Sequence, residues 1–115
     1  MTFQRACALA DVPEDEALGV TLSGPSGDQD VAVARHADEV FAVEDTCSHA
    51  AVPLSEGEVD DCTVECWLHG SRFDLRTGKP TGLPATEPVA TFPVEVRGAD
   101  IYVDITTTLN GVTPQ

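Results

Sequence analysis

Four residues of this 115-residue chain have the types and the spacing to grip a metal centre. Cys47 and His49 form one short arm, C-x-H, and Cys66 and His69 form a second, C-x-x-H, with sixteen residues between the arms. Each arm therefore offers one thiolate and one imidazole. A single tetrahedral zinc accepts two Cys and two His, but zinc modules more often pair like with like, two cysteines on one arm and two histidines on the other. One of each per arm suits a [2Fe–2S] cluster whose two irons differ in their ligands. With the arms side by side, the two sulfurs reach one iron and the two ring nitrogens reach the other.

The residues around the second arm extend the pattern. The run C-W-L-H-G-S-R-F-D, followed by R-T-G-K and G-L-P-A, resembles the soluble Rieske-type ferredoxins of bacterial ring-hydroxylating oxygenase systems, over about Cys47 to Ala85. The flanking strand pattern carries the likeness over most of the chain. The resemblance implies an all-β Rieske fold. In it, an antiparallel sandwich or barrel base carries a small cluster-binding subdomain, here about residues 45–84 of a single 1–115 domain. It also implies that Cys47 and Cys66 bind the inner iron of one [2Fe–2S] cluster, and that His49 and His69 bind the outer one.

The same resemblance gives roles to neighbouring residues. Respiratory-chain Rieske proteins carry a further cysteine on each arm, joined as a disulfide; Val52 and Leu68 stand at those positions, so that bond is excluded here. Those proteins also place a tyrosine hydroxyl near a cluster sulfur, where this chain has Phe73, while Ser71 keeps a second hydroxyl. Hydrogen bonds to sulfur stabilise the more negative reduced cluster and raise its potential. One donor lost and one kept place the expected potential in the lower part of the family range, roughly −150 mV to around zero. Gly70 is expected to let the loop approach the cluster closely, Pro84 to stiffen a third covering loop, and Trp67 to shield the site or anchor a partner.

Composition narrows the class of partner. Twenty acidic residues against six basic ones give a formal charge of −14, which argues against nucleic acid and acidic lipid. Such a surface favours solubility and steers the chain toward basic faces, with on-rates that fall as salt rises. Seven acids and no Lys or Arg lie between Glu44 and Glu65, whereas Arg72, Arg76 and Lys79 follow the second arm. No run of eighteen apolar residues and no signal pattern is present, so a cytoplasmic protein is expected. In that compartment Cys7 and Cys62 are expected to be buried thiols and not a disulfide.

The elements that must position the arms read as short strands. Phe3–Ala10 alternates, and Pro13 closes it; Ala17–Ser23 is a second strand, ended by G-P-S-G-D. V-A-V-A-R and V-F-A-V-E flank the turn H-A-D-E as a hairpin, with His36 as a solvated turn residue. E-D-T then delivers Cys47, and C-T-V-E-C delivers Cys66, with Cys62 on the same face as Val64 and Cys66. Arg72–Leu75 follows, then a loop with three prolines. A last hairpin is expected to turn Phe92, Val94 and Val96 inward against Ile101, Val103 and Ile105, and the polar residues 106–115 to fray.

Apart from the four ligands only His36 remains, so there is no 2-His-1-carboxylate triad, and no nucleotide-binding glycine fingerprint exists. The expected role is a monomeric, non-enzymatic electron carrier. It takes electrons from a flavin-containing, NAD(P)H-dependent ferredoxin reductase and gives them to a terminal Rieske non-haem iron oxygenase. Two other roles for a cluster protein stay open, an accessory Rieske protein of iron–sulfur assembly or a nitrite reductase small subunit. A zinc-stabilised binding module and a degenerate, empty site are the readings of another class.

Overall fold

The computed structural model describes residues 3–25, 27–48, 52–68, 70–82 and 85–114. Ten strands account for the regular structure: β1 Gln4–Ala8, β2 Glu16–Gly24, β3 Gly27–His36, β4 Glu39–Glu44, β5 Val59–Asp60, β6 Thr63–Glu65, β7 Arg72–Asp74, β8 Thr91–Phe92, β9 Val94–Arg97 and β10 Asp100–Val103. Two single 3-10 turns, Leu9–Asp11 and Leu54–Glu56, complete the elements. Among the described residues no helix is long and apolar enough to cross a membrane.

The strands form three antiparallel sheets, ordered β1-β10-β9, β2-β3-β4-β8 and β5-β6-β7. The middle sheet is shared by two cores, and β3 shows why. Val31, Ala32, Val33 and Ala34 are all buried, which an alternating strand achieves only when both faces are covered. The two valines face a core built with Cys7, Leu22, Phe92, Ile101 and Val103. The two alanines face a second core with Cys47, Leu54, Val64, Cys66, Phe73 and Leu75. β4 repeats the division, Ala42 to the first core and Val43 to the second. The third sheet thus packs on the alanine face, where small side chains allow it to sit close.

Local sequence explains most of the turns. Ala37 and Asp38 both have positive φ, the mirror-image turn that matches the twist of the β3–β4 hairpin. Asp61 and Cys62 do the same between β5 and β6. Cys62 therefore lies in a turn and not in a strand, yet it remains buried beside Val64 and Cys66, on the side the alternation assigns to it.

Several expectations from the sequence are corrected. β1 ends at Ala8, and a register shift between Arg5 and Cys7 breaks its alternation, which leaves Arg5 at the surface paired with Asp100. Thr91–Phe92 does not belong to the last hairpin; Pro93 interrupts the run, and β8 pairs instead with β4. Val96 is 45% exposed, because β9 is an edge strand and only β10 carries buried apolar residues there. Leu109, Asn110 and Val112, expected to fray, are tied down. Leu109 N–H donates to the Thr91 carbonyl, and Asn110 donates to the carbonyls of Thr77 and Val89 while its Oδ1 accepts from Thr91 and Val112. The amide fits because Gly78 (φ 76°) leaves room: a Cβ there would lie 2.7 Å from the Asn110 amide nitrogen and 2.1 Å from the Val89 oxygen.

Candidate metal centre

The first arm leaves the end of β4. After Glu44 the chain bends at Asp45–Thr46 and reaches Cys47, whose side chain is buried. Cys47 N–H donates to the Val52 carbonyl at 3.1 Å, and Leu54 N–H to the Asp45 carbonyl at 3.3 Å, so the loop closes on itself. The second arm leaves the end of β6. Cys66 N–H donates to the Ser71 carbonyl at 2.6 Å, and Gly70 N–H to the Cys66 carbonyl at 2.8 Å. Gly70 holds φ 76°, a left-handed conformation that suits glycine and closes this tight turn.

Both cysteines are buried in the alanine-side core, and no disulfide joins any of the chain's four cysteines. Two buried thiols brought together from separate loops, without a bridge between them, fit the sulfur donors an iron–sulfur cluster requires. His49, His69 and Pro84 lie outside the described residues. Cys47 and Cys66 thus share one core, and the expected nitrogen ligands follow them closely in sequence.

Residues 85–90 suture the two arms. Ser48 hydroxyl donates to the Glu87 carbonyl from the first arm. From the second, Ser71 Oγ accepts the Ala85 N–H at 3.1 Å. Ser71 is buried, and with its oxygen engaged by Ala85 its own O–H stays available to donate elsewhere. Phe73 is fully buried against the same core and brings no hydroxyl. Further back, Ala90 N–H donates to the buried Glu44 carboxylate at 2.8 Å. In contrast to these buried groups, Trp67 and Leu68 are 48% and 44% exposed, an apolar tip beside the second arm.

The other two cysteines differ in setting. Cys7 lies in mid-strand in the valine-side core, and burial pushes its thiol above the ordinary range, helped by Asp11. Burial also pushes the Cys62 thiol up, partly opposed by Arg76, whose guanidinium donates to Cys62 Sγ at 2.7 Å. Arg76 also lies 5.4 Å from the Phe41 ring centroid and 3.4 Å from Glu39, tying the third sheet to β4. The sequence pattern predicts a solvated turn residue at His36. It closes β3 instead, with Nδ1 2.6 Å from Asp15 Oδ1, and with Glu14 these form a compact group of metal-capable side chains.

Residues 2–93 match the family model described as the Rieske [2Fe-2S] domain. The chain belongs to the Rieske family. Its cofactor is accordingly one [2Fe–2S] cluster. Among Rieske relatives, the 3-phenylpropionate/cinnamic acid dioxygenase ferredoxin subunit of Escherichia coli (strain K12) is 46% identical over 101 residues, covering 87% of this chain and 91% of that protein. The ferredoxin of carbazole 1,9a-dioxygenase from Nocardioides aromaticivorans IC177 superimposes with a TM-score of 0.81 at 35% identity, over 90% of this chain and 97% of that one. A chain from the complex of reduced oxygenase and oxidized ferredoxin in carbazole 1,9a-dioxygenase gives a TM-score of 0.77 at 36% identity, over 88% of this chain and 91% of its own. The antiparallel, nearly helix-free architecture expected of a Rieske ferredoxin is the one found.

Proposed function

We propose that this chain is the ferredoxin component of a dioxygenase system, a one-electron carrier and not itself an oxygenase. In this reading Cys47, His49, Cys66 and His69 hold the cluster, within a lobe of about residues 45–84. The observation that carries it is the pair of buried, unbridged sulfurs of Cys47 and Cys66, supplied by two self-closed loops to one core. When bound, the cluster supplies one reversible electron. Neutral imidazoles from His49 and His69 in place of two thiolates would raise its potential above that of an all-cysteine centre, because the reduced state then carries less negative charge.

The chain's own residues do the rest. Ser71, held by Ala85, has a hydroxyl proton to offer a cluster sulfur. Phe73 fills its place without a second donor, which supports a potential in the lower part of the family range. The core around Cys47 and Cys66 excludes water, while the exposed Trp67–Leu68 tip gives a partner an apolar contact beside the cluster. Flanking the first arm, Glu16, Glu56, Glu58 and Asp60 line a groove of about 520 Å³ that would draw in a partner with a basic face. The donor would be a flavin-containing NAD(P)H-dependent reductase and the acceptor a terminal Rieske oxygenase, in the cytoplasm. The oxygenase–ferredoxin complex of carbazole 1,9a-dioxygenase supports this acceptor.

Visible and EPR spectroscopy of purified protein tests the proposal. Red-brown protein containing iron and sulfide, with an EPR signal appearing on reduction, is the expected result. Colourless protein with zinc and no sulfide would replace the carrier with a zinc module. Reduction by a ferredoxin reductase should slow steeply as salt rises from about 50 to 200 mM, since steering by exposed charge is screened over a Debye length of about 10 Å.

A further inference from the structure

The first arm is closed by one side chain as well as by backbone. Asp45 Oδ1 accepts the Ser55 N–H at 2.6 Å, and Oδ2 accepts the Ser55 hydroxyl at 2.7 Å. The backbone of the same residue works at both ends of the loop: its N–H donates to the Asp30 carbonyl on β3, and its carbonyl accepts from Leu54. One residue thus ties the exit of β4, the neighbouring strand and the far end of the cysteine-bearing loop. The setting is costly for a carboxylate. The side chain is half-buried, and both of its oxygens are spent on Ser55. A chain with 20 acidic residues has ample surface on which to place one, so an acid held half-buried points to what it grips.

The opposite wall of this grip is a glycine. Gly19, on β2, passes so close that a Cβ there would lie 2.8 Å from Asp45 Oδ2 and 2.7 Å from Ser55 Oγ. Both atoms are the mobile ends of side chains. Alanine at this position would therefore displace the grip while leaving the strand's own backbone contacts in place.

We propose that Asp45, seated against Gly19 and clamping Ser55, is the positioning residue of the first arm, setting where Cys47 stands relative to Cys66. This rests on the assignment of Cys47 and Cys66 to the cluster. The clamp acts through geometry and not through charge. Asparagine preserves it, because its carbonyl accepts the Ser55 N–H and its amide donates to the Ser55 hydroxyl oxygen. Alanine abolishes it.

The test compares intact holoprotein of wild type, Asp45→Ala, Asp45→Asn and Gly19→Ala. Cluster loss is followed by bleaching of the visible absorbance, the electronic state of the cluster by EPR g-values after reduction, and the fold by far-UV circular dichroism. Asp45→Ala and Gly19→Ala should lose the cluster roughly 10–100-fold faster with shifted g-values and an unchanged far-UV spectrum, while Asp45→Asn stays within about twofold of wild type. If Asp45→Asn fails as badly as Asp45→Ala, charge and not position is what matters, and the clamp is overturned. Wild-type g-values and bleaching rate in Gly19→Ala would overturn it equally, and that variant decides the matter if Asp45→Ala does not fold. A wild type that never takes up colour would instead remove the cluster assignment, and the clamp's role with it.

Discussion

On the valine side of β3, Cys7 is buried inside a strand register, opposite Ile101. On the alanine side, Cys47, Cys62 and Cys66 are buried in loops and a turn. The two cores use the same residue types, but they are specified differently. The first is held by sheet pairing between long strands and by apolar contact. The second is held by strands of two or three residues and by polar closures: Asp45 on Ser55, Ser71 on Ala85, Arg76 on Cys62. A sulfur fixed in a strand points where the pleat sends it. A sulfur at the end of a loop can be aimed, and that freedom has to be removed by dedicated hydrogen bonds.

The comparison breaks most sharply at the cysteines. Cys66→Ser should abolish the visible absorbance of the purified protein, whereas Cys7→Ser should keep it. A colourless Cys7→Ser variant with its fold intact would mean that the valine-side core also serves the cluster. Next come the two buried phenylalanines. Phe73→Ala and Phe92→Ala should each lower the urea-unfolding free energy by about 3–5 kcal/mol, through lost burial and the cavity left behind. Only Phe73→Ala should also hasten bleaching of the folded protein, since only Phe73 shares the core of Cys47 and Cys66.

A smaller effect separates Ser71 from the scaffold. Ser71→Ala should lower the reduction potential by roughly 60–130 mV, the loss of one hydrogen bond to a charged acceptor expressed for one electron. A rise would contradict its role as donor to sulfur. The smallest effect lies at the far end of β3. The hydrogen bond that His36 Nδ1–H donates to Asp15, with the negative charges of Asp15 and Glu14 adding to it, raises the His36 ionisation above its ordinary 6.5, against partial burial and Arg76. A raised value means the folded state binds the proton more tightly. The stabilisation is therefore complete below 6.5 and fades as pH climbs through the folded value. The wild type's advantage over His36→Gln in thermal midpoint should shrink across that window, and its persistence at pH 9 would disconnect the pair from stability.

What the sequence revealed divides along the same line. The proposed metal-binding arms could be drawn from sequence because ligand spacing is a local property: C-x-H and C-x-x-H survive any uncertainty about strands. The β3–β4 hairpin was legible too, since β-branched runs and turn residues mark it, whereas the pairing of β2 with a β3 that begins at Gly27 was not. The polar closures were not, because each joins residues distant in sequence and nothing in Asp45 alone announces Ser55. Asn110 is the clearest case. It reads as one polar residue in a polar segment, yet it satisfies backbone groups of Thr77, Val89 and Thr91. Phe92 was placed in the wrong hairpin because alternation continues across Pro93, and only the sheet partner reveals the break.

Because β3 is a party wall, its alternation of wide and narrow side chains sets the spacing on both sides at once. A variant grafted with the arms of a homologue would need matching residues at positions 32 and 34, even though neither lies on the arms. The same wall explains how one small protein can give its redox centre a new environment without redrawing its foundations: the thin face admits a different tenant while the thick face keeps the house standing.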